Sequence, residues 1–186
     1  MAESLPAGDL EGREILIAVT GGIAAYKTAT LVSRLVQRSA GVTVVMSESA
    51  KKFIGPATFA ALTGRRVHTS GFSRENPLGP HIELARDADL YCIAPATADF
   101  LGKAANGLAD DLPSTTYLCC TCPIIMAPAM NCEMWDKAAV QRNVARLKED
   151  GVVMVGPGEG WLSCRTKGAG RMAEPDEIAA AIVKAL

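Results

Sequence analysis

One pattern limits what this chain can fold into. Short apolar runs alternate with clusters of small or polar residues and with segments of helical periodicity. Glu14 to Val19 (EILIAV) is too brief for a helix and ends at Thr20-Gly21-Gly22, as a parallel strand buried on both faces does. From Ile23 to about Arg38, the positions Ala25, Thr28, Ala29, Val32, Leu35 and Val36 recur at helical spacing and define one face of an amphipathic helix. Val42 to Met46 predicts a second strand, with Ser47 placed to cap a helix that runs to Leu62 and is interrupted at Pro56. Leu90 to Ala94, Ile124 to Met126 and Val152 to Val155 predict further strands. Val140, Val144 and Leu147, stopped by Gly151, mark one late helix, and Ile178, Ile182 and Leu186 mark the last. This alternation predicts a three-layer α/β/α architecture: a doubly wound, mostly parallel, Rossmann- or flavodoxin-like sheet in a single domain. The domain is expected over residues 13–186, after a short disordered leader over residues 1–12.

Bulk composition excludes several functions. The chain is 49% apolar and 21% charged with a net charge of -1, so it carries no basic field for nucleic acid or an anionic membrane. No apolar run is long enough to span a bilayer, and the acidic opening MAESLPAGDLEGRE lacks the basic and apolar regions of a signal peptide. Six cysteines in such a chain suggest free thiols in a reducing compartment, and the cytoplasm is the expected location.

In doubly wound sheets, ligands sit beyond the carboxyl ends of the strands, so the segments that follow strands are the ones to search. Thr20 to Ala25 joins the first strand to the first helix. Its glycines suit either a tight turn or close approach of a phosphate to the helix N-terminus. It meets neither the dinucleotide nor the P-loop pattern, and Ser47 stands where a nicotinamide site wants an acid. His81 opens a helix after the Ser70–Pro80 loop and is either a surface residue or a candidate base. His68, with no partner visible in sequence, reads as structural. Thr97, after LYCIA-Pro-Ala, is either an N-cap or part of a wall of small residues for a flat ring. Asn131 is either a cap or a carboxylate ligand. Cys119, Cys120 and Cys122 cannot assemble four zinc ligands locally and read as small buried residues. Gly156 to Arg171 is a long Gly-rich connection that reads as a lid. On it, Cys164 stands beside Arg165, a cation that favours thiolate.

The blocks TGGIAAYK, SESAKKF, HIELARDADL, APATADFLGKAANGLADD, APAMNCEMW and SCRTKGAGRM, in this order from Thr20 to Met172, resemble the homo-oligomeric flavin-containing cysteine decarboxylases. The resemblance covers nearly the whole chain from about Arg13. It implies FMN as cofactor, with Gly21, Gly22, Ile23, Ser47 and Ser49 at its phosphate and ribityl chain. Thr97, Ala98, Asp99, Phe100 and Ala129 would lie along its rings, and Phe53 would also contact the cofactor. It also implies His81 as catalytic base and Cys164 as proton donor. Asn131 would bind the substrate carboxylate, with Met130, Arg165 and Met172 on the substrate side. No metal is implied.

The implied reaction oxidises a cysteine CH₂–SH to a thioaldehyde, whose C=S accepts the electrons of the departing carboxylate. If a thiol acid then delivers a proton while reduced FMN returns hydride, the product is the saturated thiol. The implied substrate is 4'-phosphopantothenoylcysteine, because family members acting on cysteine-terminated peptides stop at the enethiol and need no such donor. A peptide substrate, or a non-catalytic FMN-binding regulatory role, is the alternative. An NAD-dependent dehydrogenase is disfavoured. Two positions depart from the family: Asp99 where many members have Asn, and Arg165 where Gly is usual. The resemblance further implies a trimer or a multiple of trimers, up to a dodecamer. Within 186 residues there is no room for the ligase domain of the bifunctional members, so a stand-alone decarboxylase is expected.

Overall fold

A computed structural model describes residues 8–72 and 79–186. The first strand, β1, is Glu14–Val19, the segment expected for it, and helix α1 follows at Ala25–Gln37. Then come β2 (Gly41–Met46), a 3₁₀ turn (Ala50–Lys52), α2 (Pro56–Thr63), β3 (Val67–His68) and α3 (Pro80–Asp87). The second half contains β4 (Leu90–Ala96), α4 (Ala98–Ala105), α5 (Leu112–Cys119), β5 (Ile124–Pro128), α6 (Cys132–Trp135), α7 (Ala138–Glu149) and β6 (Val153–Met154). A hairpin of β7 (Gly158–Trp161) and β8 (Lys167–Arg171) precedes α8 (Pro175–Ala185).

The six strands of the main sheet pair in parallel in the order β3-β2-β1-β4-β5-β6. Side chains along β1 alternate between two cores. Ile15, Ile17 and Val19 join Leu31 and Leu35 of α1 and Ile178 and Ile182 of α8 on one face. Leu16 and Ala18 join Phe100 and Leu101 of α4 and Val144 and Leu147 of α7 on the other. Burial on both faces explains why the strands read as unbroken apolar runs, and it bears out the expected doubly wound architecture.

Several expectations are corrected. The helix expected after Ser47 is interrupted before Pro56, as foreseen, but its first part is only a 3₁₀ turn. Ser47 Oγ accepts the Ala50 N–H at 3.2 Å and closes the 3₁₀ turn, and a new helix starts where Pro56, lacking an N–H, fits the first turn. Much of the connection read as a loop, Gly156 to Arg171, is the β7–β8 hairpin. Cys119 is exposed and Cys120 and Cys122 are half-buried, so that cluster is not core. The elements β3, α5 and α6 were not foreseen. The predicted Ser70–Pro80 loop falls largely outside the described residues.

The leader expectation fails where it can be followed. Residues 1–7 lie outside the described part, but Gly8 to Gly12 form turns that pack onto α1. The Leu10 N–H donates to the Arg38 carbonyl at 3.2 Å, Asp9 is ion-paired with Arg38, and Leu10 is 2% exposed in the first core. Burying a leucine there gives residues outside the predicted domain a share in its stability. Leu10→Ala is expected to lower the unfolding free energy by about 2–5 kcal/mol in urea titration. A loss under ~0.5 kcal/mol would mean that this segment is not part of the cooperative unit.

Candidate active site

The cavity at the carboxyl ends of the strands forms where the chain changes direction. After β1 the chain moves outward to β2, and after β4 it moves the other way to β5, so the loops beside β1 and β4 diverge. Thr20 pins the two strand ends together. Its hydroxyl donates to the Pro95 carbonyl at 2.6 Å and accepts the Thr97 N–H at 3.2 Å. The cavity between the diverging loops has a volume of about 750 Å³. That lies within the roughly 300–1,000 Å³ typical of cofactor and ligand sites.

Gly21, Gly22, Ile23 and Ser49 line one end of it. A Cβ on Gly21 would stand 2.3 Å from Ser49 Oγ, so only glycine lets the two loops meet. Beyond them α1 starts without a capping side chain and without an acidic residue in its first turn, which leaves its positive end free to receive an anion. Ser47 is not in the lining. It is 7% exposed and its hydroxyl lies 3.0 Å from Ser49 Oγ, so it supports Ser49 from behind. Thr97, Ala98, Asp99 and Ala129 form a wall of small side chains. Thr97 is also the N-cap of α4, with its Oγ1 accepting the Phe100 N–H at 3.3 Å. Lys103 neutralises Asp99 at 3.2 Å while also holding Asp110 at 3.0 Å. This set of features fits FMN: an anion seat, a flat wall of small residues and a cavity of cofactor size.

At the other end stand Met130, Asn131, Met172 and Cys164. Asn131 fulfils both readings of its sequence context. Its Oδ1 accepts the Met134 N–H at 3.1 Å as the cap of α6, and its Nδ2 points to Cys164 Sγ at 3.7 Å. Cys164 lies on the hairpin tip, 3.0 Å from Thr166 Oγ1. The Thr166 hydroxyl, helped by its backbone N–H and by Asn131, holds this exposed thiol below its ordinary value of 9.0. The hydrogen bonds, and not the neighbouring Arg165, supply the shift.

Four further expected residues lie elsewhere. Phe100 is 2% exposed and packs edge-on to Tyr117 in the second core, so its side chain does not face the cavity. Phe53, half exposed after the 3₁₀ turn, and Arg165, exposed with φ 65°, are outside the lining. His81 stands in the first turn of α3, outside this cavity. His68 is half-buried, with burial pushing its imidazole below 6.5, in a separate groove shared with Arg65 and Glu14. Conversely, Tyr26, Lys27 and Met134 line the cavity without having been singled out, and Trp161 and Arg171, on the connection read as a lid, line it as well. Tyr26 and Lys27 sit in the block TGGIAAYK, but helical periodicity assigns them to solvent.

Fold and cavity together define an open α/β domain that receives its ligand at the switch point of a parallel sheet. The chain belongs to the Flavoprotein family, whose model matches residues 3–186. It is 48% identical over 170 residues to the Coenzyme A biosynthesis bifunctional protein CoaBC of Bacillus subtilis (strain 168), covering 91% of this chain and 42% of that protein. It is 46% identical over 166 residues to the protein of the same name from Mycobacterium bovis, covering 89% and 40%. The chain thus spans less than half the length of these relatives. Among solved structures, the FMN-dependent cysteine decarboxylase SpaF superposes with a TM-score of 0.83 at 34% identity, covering 95% of this chain and 96% of that one. A PPC decarboxylase mutant complexed with pantothenoylaminoethenethiol superposes with a TM-score of 0.82 at 31% identity, covering 91% and 96%.

The Cys164 environment is testable without any substrate. Thr166→Val removes the hydroxyl that stabilises the thiolate, so the inflection in the pH dependence of iodoacetamide labelling at Cys164 is expected to move upward. An unchanged inflection would show that Thr166 does not set this thiol's acidity.

Proposed function

We propose that this chain is an FMN-dependent decarboxylase of the cysteine moiety of 4'-phosphopantothenoylcysteine, forming 4'-phosphopantetheine for coenzyme A. The observation that carries this reading is the convergence of an anion seat, a small-residue wall, an amide and an acidified thiol on one cavity. The names of the relatives point the same way.

In this reading Gly21, Gly22, Ile23 and Ser49 hold the phosphate and ribityl chain, and Thr97, Ala98, Asp99 and Ala129 face the rings. When bound, FMN would supply the two-electron oxidation that turns the substrate CH₂–SH into C=S and would return the same two electrons, as hydride, to saturate the product. Asn131 Nδ2 holds the carboxylate so that the breaking C–C bond lies beside that acceptor, and the surrounding side chains exclude water. Cys164 gives its proton to the enethiolate carbon, and Thr166 and Asn131 stabilise the thiolate left behind. His81 of a neighbouring copy takes the substrate thiol proton. The exposure of the apolar side chains Ile23, Tyr26 and Phe53 at this edge supports such an assembly, a trimer or a multiple of trimers, in the cytoplasm. Arg165, at the hairpin tip, meets the substrate phosphate.

The purified protein is expected to be yellow and to convert phosphopantothenoylcysteine to a product lighter by CO₂ alone, read by mass. Cys164→Ser should give a product lighter by two further hydrogens. A saturated product from that variant would remove Cys164 from its role. Turnover of a cysteine-terminated peptide instead would reassign the substrate, and a flavin-loaded protein inert on both would leave only a binding role.

His81→Asn is expected to keep the flavin while CO₂ release falls by about 10²–10⁴-fold. Mixed oligomers of His81→Asn and Cys164→Ser subunits should regain saturated product, because some sites then draw both intact groups from different copies. Failure of the mixture to exceed either parent would place both residues in the same chain's site.

A further inference from the structure

Lys27 is a buried charge that the proposed mechanism leaves unused. It stands on α1 at 6% exposure, with Nζ donating to the Met172 carbonyl at 3.0 Å and to Glu174 Oε1 at 2.9 Å. Both acceptors lie where β8 of the hairpin runs into α8. Glu174 Oε1 also takes Arg171 Nη2 at 2.5 Å, and the Arg171 side chain lies over Gly160, where a Cβ would be 3.2 Å from its Cδ. One carboxylate therefore joins α1, the returning strand and the outgoing strand.

The geometry resembles a ladder. In an extended strand, alternate carbonyls point the same way. The Gly170 carbonyl accepts the Met130 N–H at 2.9 Å, and two residues on the Met172 carbonyl accepts Lys27 Nζ. Gly170 is pressed so close that a Cβ would stand 2.3 Å from the Met130 carbonyl oxygen. Lys27 thus acts in place of a backbone N–H and supplies a further attachment of the chain leaving β8 to the body of the domain. A hydrophobic side chain of equal length would fill the same volume without the cost of desolvating an ammonium group, so packing alone does not call for lysine. A lysine supplies several directed donors, which an apolar chain lacks.

We infer that Lys27 is a positioning residue: with Glu174 it fixes the base of the hairpin, and through it the place of Cys164 over the cavity. The inference builds on the proposed role of Cys164 as proton donor. Loosening the base frees the tip to swing, so decarboxylation and proton return become uncoupled, and the enethiol escapes before it is saturated.

The test uses Lys27→Met, Glu174→Gln and Lys27→Arg in the full chain with two readouts. The first is the rate at which trypsin cuts the protein as purified after Arg165 or Lys167 at the hairpin tip. The second is the ratio of enethiol to saturated product from phosphopantothenoylcysteine. Lys27→Met and Glu174→Gln are each expected to raise both by about tenfold, the size of a lost charged hydrogen bond, and Lys27→Arg to restore both toward the parent. Parent-like cutting in both uncharged variants would overturn the clamp. Faster cutting with an unchanged product ratio would overturn its role in placing Cys164. If Lys27→Met does not fold, Glu174→Gln decides both points. If the parent itself releases no CO₂, the proposed reaction falls, and the cutting rates still judge the clamp.

Discussion

The site depends on the bond that Thr20 makes across the switch point. Parallel strands leave their loops at one end, but neighbouring strands whose chains diverge leave a gap there that packing alone does not close. The Thr20 hydroxyl closes its base, donating to the Pro95 carbonyl and accepting the Thr97 N–H, and it is itself 3% exposed. In doing so it fixes two helix starts relative to each other: the uncapped positive end of α1 and the Thr97-capped start of α4. An anion seat and a flat wall are useful together only if their separation is constant. A buried hydroxyl with both hydrogen-bonding roles filled holds them so.

The two ends of the cavity are built differently. The end with Gly21, Gly22, Thr97 and Ala129 is carried on strand termini backed by both hydrophobic cores. The end with Cys164 is carried on a two-stranded hairpin that pairs with no strand of the main sheet. A lone hairpin in water is marginal, so its position must come from attachments at its base. Those are the Met130–Gly170 bond, the Lys27 and Arg171 contacts with Glu174, and the burial of Met172. Rigid backing suits groups that orient a flat cofactor, and a hinged support suits a group that must let substrate in.

What could be read from the sequence follows from how local its cause is. β1 was foreseen to the residue because a strand buried on both faces writes its whole length in apolar side chains. The Thr20–Ile23 turn and Thr97 were legible because strand ends and caps have local chemistry. Phe100 was misplaced because its block also belongs to a helix whose apolar face turns to the core. Lys27 was missed because a lysine on an amphipathic helix reads as solvated until Glu174, far along the chain, is seen beside it. The hairpin was missed as structure because Gly158, Gly160, Gly168 and Gly170 give it no alternating pattern. No signal within one chain could decide what His81 faces.

The acidity of Cys164 links the hairpin's shape to the proposed chemistry. A proton donor works best when the anion it leaves is already solvated by the protein, and here the donors to that anion come from two supports. Thr166 travels with the hairpin, whereas Asn131 is fixed as the cap of α6 on the domain body. The full set of donors to the sulfur therefore assembles only while the hairpin sits as it does here. A thiol that moved away with its strand would keep Thr166, lose Asn131 and regain part of its ordinary reluctance to give up a proton. Position and acidity are thus coupled through one side chain, and the residues that hold the hairpin's base bear on the proposed chemistry through the place they give Cys164.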